Sequence, residues 1–450
     1  MNSVTYASSW GQPRTSLFTD HYELTMLQAA LHSGSAHRRS VFEAFARRLP
    51  DGRRYGVVAG TGRFLEGLAA FRFGARELDF LAQNKVVNDE TLAWLADFSF
   101  SGNVYGYAEG ELYFPNSPIL TIESTFAEAC ILETYVLSTL NHDSAIASAA
   151  SRMITAAGSR PCIEMGSRRT HEESAVAASR AAVIAGFHST SNLECGLRYG
   201  VLTQGTAAHS FTLLHDSEDD AFRAQVQSMG AGTTLLVDTY DVEAAVRRAV
   251  AIAGPALGGV RLDSGDLLAQ AHDVRALLDS LGNVNTRITV TSDLDEFAIA
   301  ALAAAPVDSY GVGTSLVTGS GAPTASMVYK LVSREGNDGK FVPVAKAAKN
   351  KASVGGKKFA LRRLNERGLA TAEMVGIGDL PGNDGNDRPL VQEFMHDGVL
   401  APGWTGAEGV RRATERHAAS MAELPGAARR LQRGEPVIPT EFIQPSTVRN

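Results

Sequence analysis

The sequence predicts an α/β protein with parallel strands, and two observations carry that expectation. Seven short apolar or β-branched runs (161–165, 185–188, 201–203, 233–237, 259–262, 286–290 and 309–312) alternate with helix-length segments. This is the rhythm of strands joined by crossover helices. Polar clusters also recur just after these runs: Glu164-Met165-Gly166-Ser167-Arg168-Arg169, Gly205-Thr206-Ala207-Ala208-His209-Ser210, Arg261-Leu262-Asp263-Ser264-Gly265-Asp266 and Gly311-Val312-Gly313-Thr314. Periodicity alone does not choose between an open sheet and a closed ring. The clusters favour an α/β barrel, because barrel enzymes carry their sites at the carboxyl ends of the strands.

Element by element, Ala, Leu and Val recur at three- and four-residue intervals over 171–184, 219–229, 242–253, 267–281 and 295–304, which predicts helices. Several of these open on acidic residues, which suits the positive end of the helix dipole. Upstream, 20–31 and 62–71 read as helices and 40–45 as a strand, and the aromatic, Gly-rich stretch 102–113 suggests further strands. Downstream, 346–358 is rich in Lys and Gly, 376–389 carries the Gly, Asn, Asp and Pro of a loop, 406–432 reads as helical, and 435–450 as an arm or tail.

With 450 residues and 44% hydrophobic content the chain can bury a large core. A net charge of -7 gives no broad cationic field for nucleic acid or an anionic membrane, so phosphate recognition has to be local and the partners small molecules. The three cysteines, Cys130, Cys162 and Cys195, lack the spacing of a zinc site or a disulfide framework, as expected of a reduced cytoplasmic protein. Neither a basic-then-apolar leader over 1–16 nor a run of about 18 apolar residues is present, so the expectation is a soluble, unanchored protein.

The polar clusters hold the chemistry. Arg261 and Asp263, two apart on a strand, share a face. The guanidinium offers stacking or anion pairing, and the carboxylate suits ribose hydroxyls or Mg²⁺. Asp263 or Ser264 could instead cap the next helix, a part that Asp266 could also play. Gly311, Gly313 and Thr314 present bare amides and a hydroxyl that can hold a phosphate, although glycine in such a turn often serves backbone geometry alone. Arg168 and Arg169 could neutralise a pyrophosphate or lie solvated. His209 could be a general base, a satisfied core histidine or a phosphoryl acceptor. No Gly-x-Ser-x-Gly elbow and no Walker loop occurs.

Taken together, these motifs resemble the nicotinate phosphoribosyltransferase family of type II phosphoribosyltransferases. Thr19-Asp20-His21-Tyr22-Glu23-Leu24-Thr25-Met26, Phe42-Glu43-Ala44-Phe45-Ala46-Arg47 and Phe187-His188-Ser189-Thr190-Ser191-Asn192 extend the resemblance over nearly the whole chain. It implies an irregular α/β barrel over 131–345 and a second α+β domain formed from both chain ends, 1–130 and 346–450, in a homodimer with shared active sites. The implied reaction joins nicotinate to phosphoribosyl diphosphate, giving nicotinate mononucleotide and pyrophosphate, with ATP turnover and Mg²⁺. Tyr22 would stack on the pyridine ring from the neighbouring subunit, and Thr206 and Arg261 would contact nicotinate. Gly313 and Thr314 would hold the 5-phosphate, and Arg168 and Asp263 would engage the donor, Asp263 with the metal. His209 would be the phosphohistidine.

Other readings remain. The run Leu235-Leu236-Val237-Asp238-Thr239 only faintly echoes the type I phosphoribosyltransferase signature, lacking its paired acids and glycine turn. A nicotinamide-specific relative would carry an aspartate where this chain has Ser191. An aldolase or isomerase on a phosphate-binding barrel would need a Schiff-base lysine or a carboxylate base at a strand end, and no lysine occurs between Pro161 and Tyr329. A non-catalytic phosphohistidine sensor would not need the whole donor constellation.

Overall fold

The computed structural model describes residues 14–346 and 353–444. Parts of the stretches 1–16, 346–358 and 435–450 therefore lie outside the described residues. The chain falls into two compact units. One comprises the described residues of Met1–His142, Ala325–Ala428 and Gly434–Asn450, and the other comprises Asp143–Thr324 with Arg429–Arg433. The division at His142 falls within the 25-residue helix Glu133–Ala157.

The second unit is built on a parallel sheet in the order Ser189–Thr190, Cys162–Glu164, Ser309–Val312, Arg287–Val290, Gly259–Leu262 and Thr234–Leu236. A parallel bridge from Thr190 to Thr203 extends it by one position. Val260, Leu262, Ile288, Val290, Tyr310 and Val312 are fully buried, which accounts for near-continuous apolar runs in place of alternation. Helices return the chain after most strands. Asp241 caps Val242–Ala253, Asp266 caps Leu267–Ser280, Asp295 caps Glu296–Ala301 and Ser217 caps Glu218–Met229, each side chain accepting a first-turn amide. Because every strand runs the same way, all carboxyl ends lie along one edge of the sheet.

The run 185–188, expected as a strand, is instead a turn. The helix Glu172–Ile184 ends there, Gly186 takes a positive φ of 102°, Phe187 is buried, and the strand begins at Ser189. The apolar residues before Gly186 serve the helix, so hydrophobicity placed the strand too early. The helix expected over 295–304 divides into Glu296–Ala301 and a 3-10 turn, Leu302–Ala304.

The first unit holds an antiparallel seven-stranded sheet in the order Phe341–Pro343, Met327–Glu335, Arg39–Ala46, Leu120–Thr125, Asn103–Tyr107, Val391–His396 and Val399–Leu400. A second sheet runs Arg388–Pro389, Lys358–Leu364, Ala370–Ile377 and Thr440–Ile443. Within the expected tail, Thr440–Ile443 is thus a strand, parallel to Ala370–Ile377. A four-residue run close behind Pro439 is too short to announce itself by periodicity. The expected loop 376–389 likewise gives up both ends to strands, and 406–432 resolves into the helix Gly406–Glu423 and a short 3-10 turn, Gly426–Arg429.

Lys358, at the end of the Lys- and Gly-rich stretch 346–358, is buried. Its Nζ donates to Glu43 Oε1 and Oε2 at 3.0 and 2.9 Å, and both side chains are 2% exposed. Burial pushes the Glu43 carboxyl up from its ordinary value, and the Lys358 ammonium opposes that shift. Removing one member leaves a buried, uncompensated charge, so Lys358→Met should cost about 3–5 kcal/mol, while Glu43→Leu combined with Lys358→Met should regain most of it. Urea unfolding of the three proteins measures both effects.

Candidate functional site

At the carboxyl edge of the parallel sheet lies a cavity of about 200 Å³. Arg168, Arg261, Asp263, Gly313 and Thr314 all line it, having come from three strand ends and the turns behind them. Arg169 and the unanticipated trio Thr291, Ser292 and Asp293 complete the polar wall.

Arg261 is the hub. Its side chain is 12% exposed and every guanidinium nitrogen is engaged. Nε donates to Thr291 Oγ1 at 3.1 Å, Nη1 to Thr206 Oγ1 at 2.7 Å and to Ala207 O at 3.1 Å, and Nη2 to Asp263 Oδ1 at 3.4 Å. One planar cation therefore joins three strand-end segments and draws Thr206 to the cavity wall. Asp263 Oδ1 also accepts the Thr291 hydroxyl. Burial alone would raise the Asp263 carboxyl, but the Thr291 hydroxyl, Arg261 and His209 outweigh it and hold the group below the ordinary aspartate value. Asp263 is consequently anionic at neutral pH. The capping alternative falls to Asp266, whose Oδ1 accepts the Ala269 amide.

His209 is the first residue of the short helix His209–Leu214, and its side chain is 39% exposed, which excludes a core histidine. Nδ1 lies 3.2 Å from Thr239 Oγ1, and Nε2 lies 3.9 Å from Asp238 Oδ1 and 3.8 Å from Asp263 Oδ2. Asp238, 3% exposed, uses Oδ2 to accept the Asp263 amide at 3.0 Å and the Ser264 hydroxyl at 2.7 Å. Its Oδ1 is buried with no hydrogen-bond partner among the described residues. The His209 imidazole faces that oxygen, its Nε2 3.9 Å away. Sequence reading set Asp238 and Thr239 aside as a faint type I echo. Their position directly after the Thr234–Leu236 strand, whose Leu236 pairs with Arg261, was the available signal.

A second buried carboxylate shapes the turn that carries the arginines. Glu164, fully buried at its strand end, accepts the Gly166 amide and the hydroxyls of Ser179 and Thr190. A Cβ at Gly166 would stand 2.3 Å from Val317 Cγ1, and one at Gly311 would stand 2.5 Å from Thr291 Cγ2, so both positions require glycine for close packing. Arg168 and Arg169 are exposed at the cavity and have no ion-pair partner among the described residues. Two cations left without carboxylates favour an anionic ligand over mutual neutralisation. Ser292 adopts a φ of 146°, a strained conformation for a residue with a Cβ, located at the cavity.

Tyr22 belongs to the other unit, on the helix His21–His32 capped by Asp20. It is 44% exposed, and burial followed by Glu133 pushes its phenol up to about 12, so it remains a neutral ring at physiological pH. Of the eight positions singled out in sequence, five line the cavity and two more, Thr206 and His209, contact its walls.

Comparison with known proteins bears directly on this arrangement. The family model for the nicotinate phosphoribosyltransferase (NAPRTase) N-terminal domain matches residues 17–141. The chain is 54% identical over 445 residues to a nicotinate phosphoribosyltransferase of Mycobacterium tuberculosis, covering 96% of each chain. It is 36% identical over 362 residues to the nicotinate phosphoribosyltransferase of Bacillus subtilis, covering 78% of this chain and 74% of the relative. The crystal structure of human nicotinic acid phosphoribosyltransferase superposes with a TM-score of 0.80 at 25% identity, covering 95% of this chain and 97% of that one. With more than half of its residues shared over nearly its full length, the chain belongs to the nicotinate phosphoribosyltransferase family.

Proposed function

We propose that this chain is an ATP-coupled nicotinate phosphoribosyltransferase, forming nicotinate mononucleotide and pyrophosphate in the first step of NAD synthesis from nicotinate. The observation that carries this reading is one strand-end cavity holding free arginines, a Gly-Thr turn and a carboxylate, with a histidine beside it. In the same reading the second unit is an irregular α/β barrel, left open between Thr203 and Thr234, and the first unit is the α+β domain formed from both chain ends. Seven parallel strand positions, six in the sheet and one bridge, support the barrel. The enzyme acts as a cytoplasmic homodimer in which Tyr22 stacks on the pyridine ring of the neighbouring subunit's site.

In the transfer, the pyridine nitrogen lone pair attacks the anomeric carbon, a C–N bond forms, and the C–O bond to pyrophosphate breaks with its electron pair leaving on oxygen. No proton need be removed from the ring nitrogen, so His209 is free for another task. Arg168 and Arg169 oppose the charge of the departing pyrophosphate. Gly313 and Thr314 hold the 5-phosphate, and Arg261 with Thr206 meets the nicotinate carboxylate. No cluster of three His, Cys, Asp or Glu among the described residues could cage a metal. Mg²⁺ ordinarily sits between one or two carboxylates and substrate phosphates, and Asp263 fits that part because its Oδ2 accepts no hydrogen bond among the described residues. When bound, Mg²⁺ would supply further neutralisation of the leaving group.

His209 takes the γ-phosphoryl group of ATP: an N–P bond forms and the P–O bond to ADP breaks, with its electron pair leaving on the ADP oxygen. The Asp238 carboxylate at Nε2 favours the tautomer protonated there, which leaves Nδ1 as the nucleophilic nitrogen, with the Thr239 hydroxyl able to donate to it. A phosphoryl group adds about −1.5 to −2 charges if the values for hydroxyl residues carry over, enough to reorganise the cations of the site. Ser191, exposed where a nicotinamide-specific relative carries aspartate, adds no negative charge against a carboxylate substrate.

His209→Ala should retain transfer without ATP while losing any stimulation by ATP; full ATP-coupled turnover in this variant would remove His209 as the acceptor. Asp238→Asn should lower histidine phosphorylation by about 10²–10⁴-fold, the range for a lost proton-handling group, with donor affinity largely kept. Phosphohistidine detected by ³¹P spectroscopy reports on it. Nicotinate, nicotinamide and quinolinate offered as acceptors, with and without ATP, decide the substrate: product from nicotinate, increased by ATP, is expected, and preference for either other acceptor would reject the assignment.

A further inference from the structure

Arg261 and Asp263 lie within reach of each other at the strand-end cavity, yet they do not form the pair that their chemistry favours. A guanidinium and a carboxylate commonly close into two parallel bonds of about 2.7–2.9 Å. Here there is one contact, from Nη2 to Oδ1, at 3.4 Å. Thr291 stands between them. Its Oγ1 accepts Arg261 Nε at 3.1 Å and donates to Asp263 Oδ1, so one atom of each partner is already taken.

The direction of the two bonds follows from the groups. Nε can only donate and an ionised carboxylate can only accept, so the hydroxyl proton lies toward Asp263. Leu262 O, at 3.5 Å, is the weaker acceptor. The side chain is also fixed in place. Thr291 is 4% exposed and directly follows the strand Arg287–Val290, and its amide donates to Leu262 O at 2.9 Å. Its Cγ2 lies only 2.5 Å from where a Cβ at Gly311 would stand, so the glycine makes room for the methyl and the hydroxyl is left facing the charged pair. Asp263 Oδ1 is thereby engaged twice, while Oδ2 accepts no hydrogen bond among the described residues.

We propose that Thr291 is a positioning residue for the transfer: a hydroxyl spacer that stops Arg261 and Asp263 from closing on each other, so that Asp263 keeps one oxygen for the phosphoribosyl donor. The role rests on the donor assignment made above. Without the hydroxyl, Arg261 Nε loses its acceptor and Asp263 Oδ1 loses a donor, both at a site where water competes weakly. The replacement within reach of both is the direct two-bond pair, which consumes Oδ2.

Thr291→Val removes the hydroxyl and keeps the branched shape. Its crystal structure tests the spacer without reference to the reaction: Arg261 and Asp263 joined by two bonds are expected, and a single contact still near 3.4 Å overturns the proposal. Calorimetric titration of the full chain with phosphoribosyl diphosphate and Mg²⁺ should show affinity about 10–100-fold weaker in Thr291→Val and in Thr291→Ala, the range for a lost orienting partner. Thr291→Ser should restore it. KM for nicotinate should move far less, because Arg261 keeps its bonds to Thr206 and Ala207. A merely structural Thr291 would lower the melting temperature and kcat together and leave the donor affinity of the folded protein intact, which overturns the proposal. Equal losses of affinity in Thr291→Ser and Thr291→Val also overturn it, by assigning the effect to packing against Gly311. A parental chain that binds no donor overturns the donor assignment instead, and the crystal structure of Thr291→Val still decides the spacer.

Discussion

The Arg261 guanidinium is the constraint on which the site depends. A parallel sheet brings strand ends to one edge, but it does not fix the segments that follow them. Arg261 does so by spending all three of its nitrogens on different segments, at 2.7 to 3.4 Å. It is nearly buried, so these bonds form where water competes weakly, and the fork geometry makes them directional. Lysine could not reproduce this. The same contacts lower the Asp263 carboxyl and place it within 3.8 Å of His209.

A chain of charge runs on from this hub. Asp263 is held by Arg261 and Thr291, its amide is held by Asp238, and the remaining Asp238 oxygen faces His209. The imidazole that accepts phosphate in the proposed cycle thus has the residue proposed to hold the donor's metal, Asp263, as one of its two carboxylate neighbours. Charge added at His209 would be felt at Asp263 through short distances and a partly desolvated medium. That is a direct physical route by which ATP turnover can alter donor binding, without a change of fold.

The parts of this account that were legible in sequence are those governed by periodicity and by position after a strand. Gly259–Leu262 and Ser309–Val312 were bounded to the residue, because each is a continuous buried run closed by polar residues. Arg168, Arg261, Asp263, Gly313 and Thr314 follow such runs and do share a cavity. Thr291, Ser292 and Asp293 were passed over: they follow a strand as well, but as small polar residues they carry no motif of their own, and the strain at Ser292 is invisible in composition. Asp238 was seen and set aside, because its importance comes from a neighbour 29 residues away in sequence. Thr440–Ile443 was misjudged for the same kind of reason, since a short edge strand is created by a partner distant in the chain.

The most direct test of the central claim is a crystal structure of the enzyme bound to phosphoribosyl diphosphate. The account expects the 5-phosphate at Gly313 and Thr314, the pyrophosphate against Arg168 and Arg169, and the ribose hydroxyls or metal at Asp263. A donor bound away from the strand-end cavity, with Arg261 and Asp263 untouched, would contradict it.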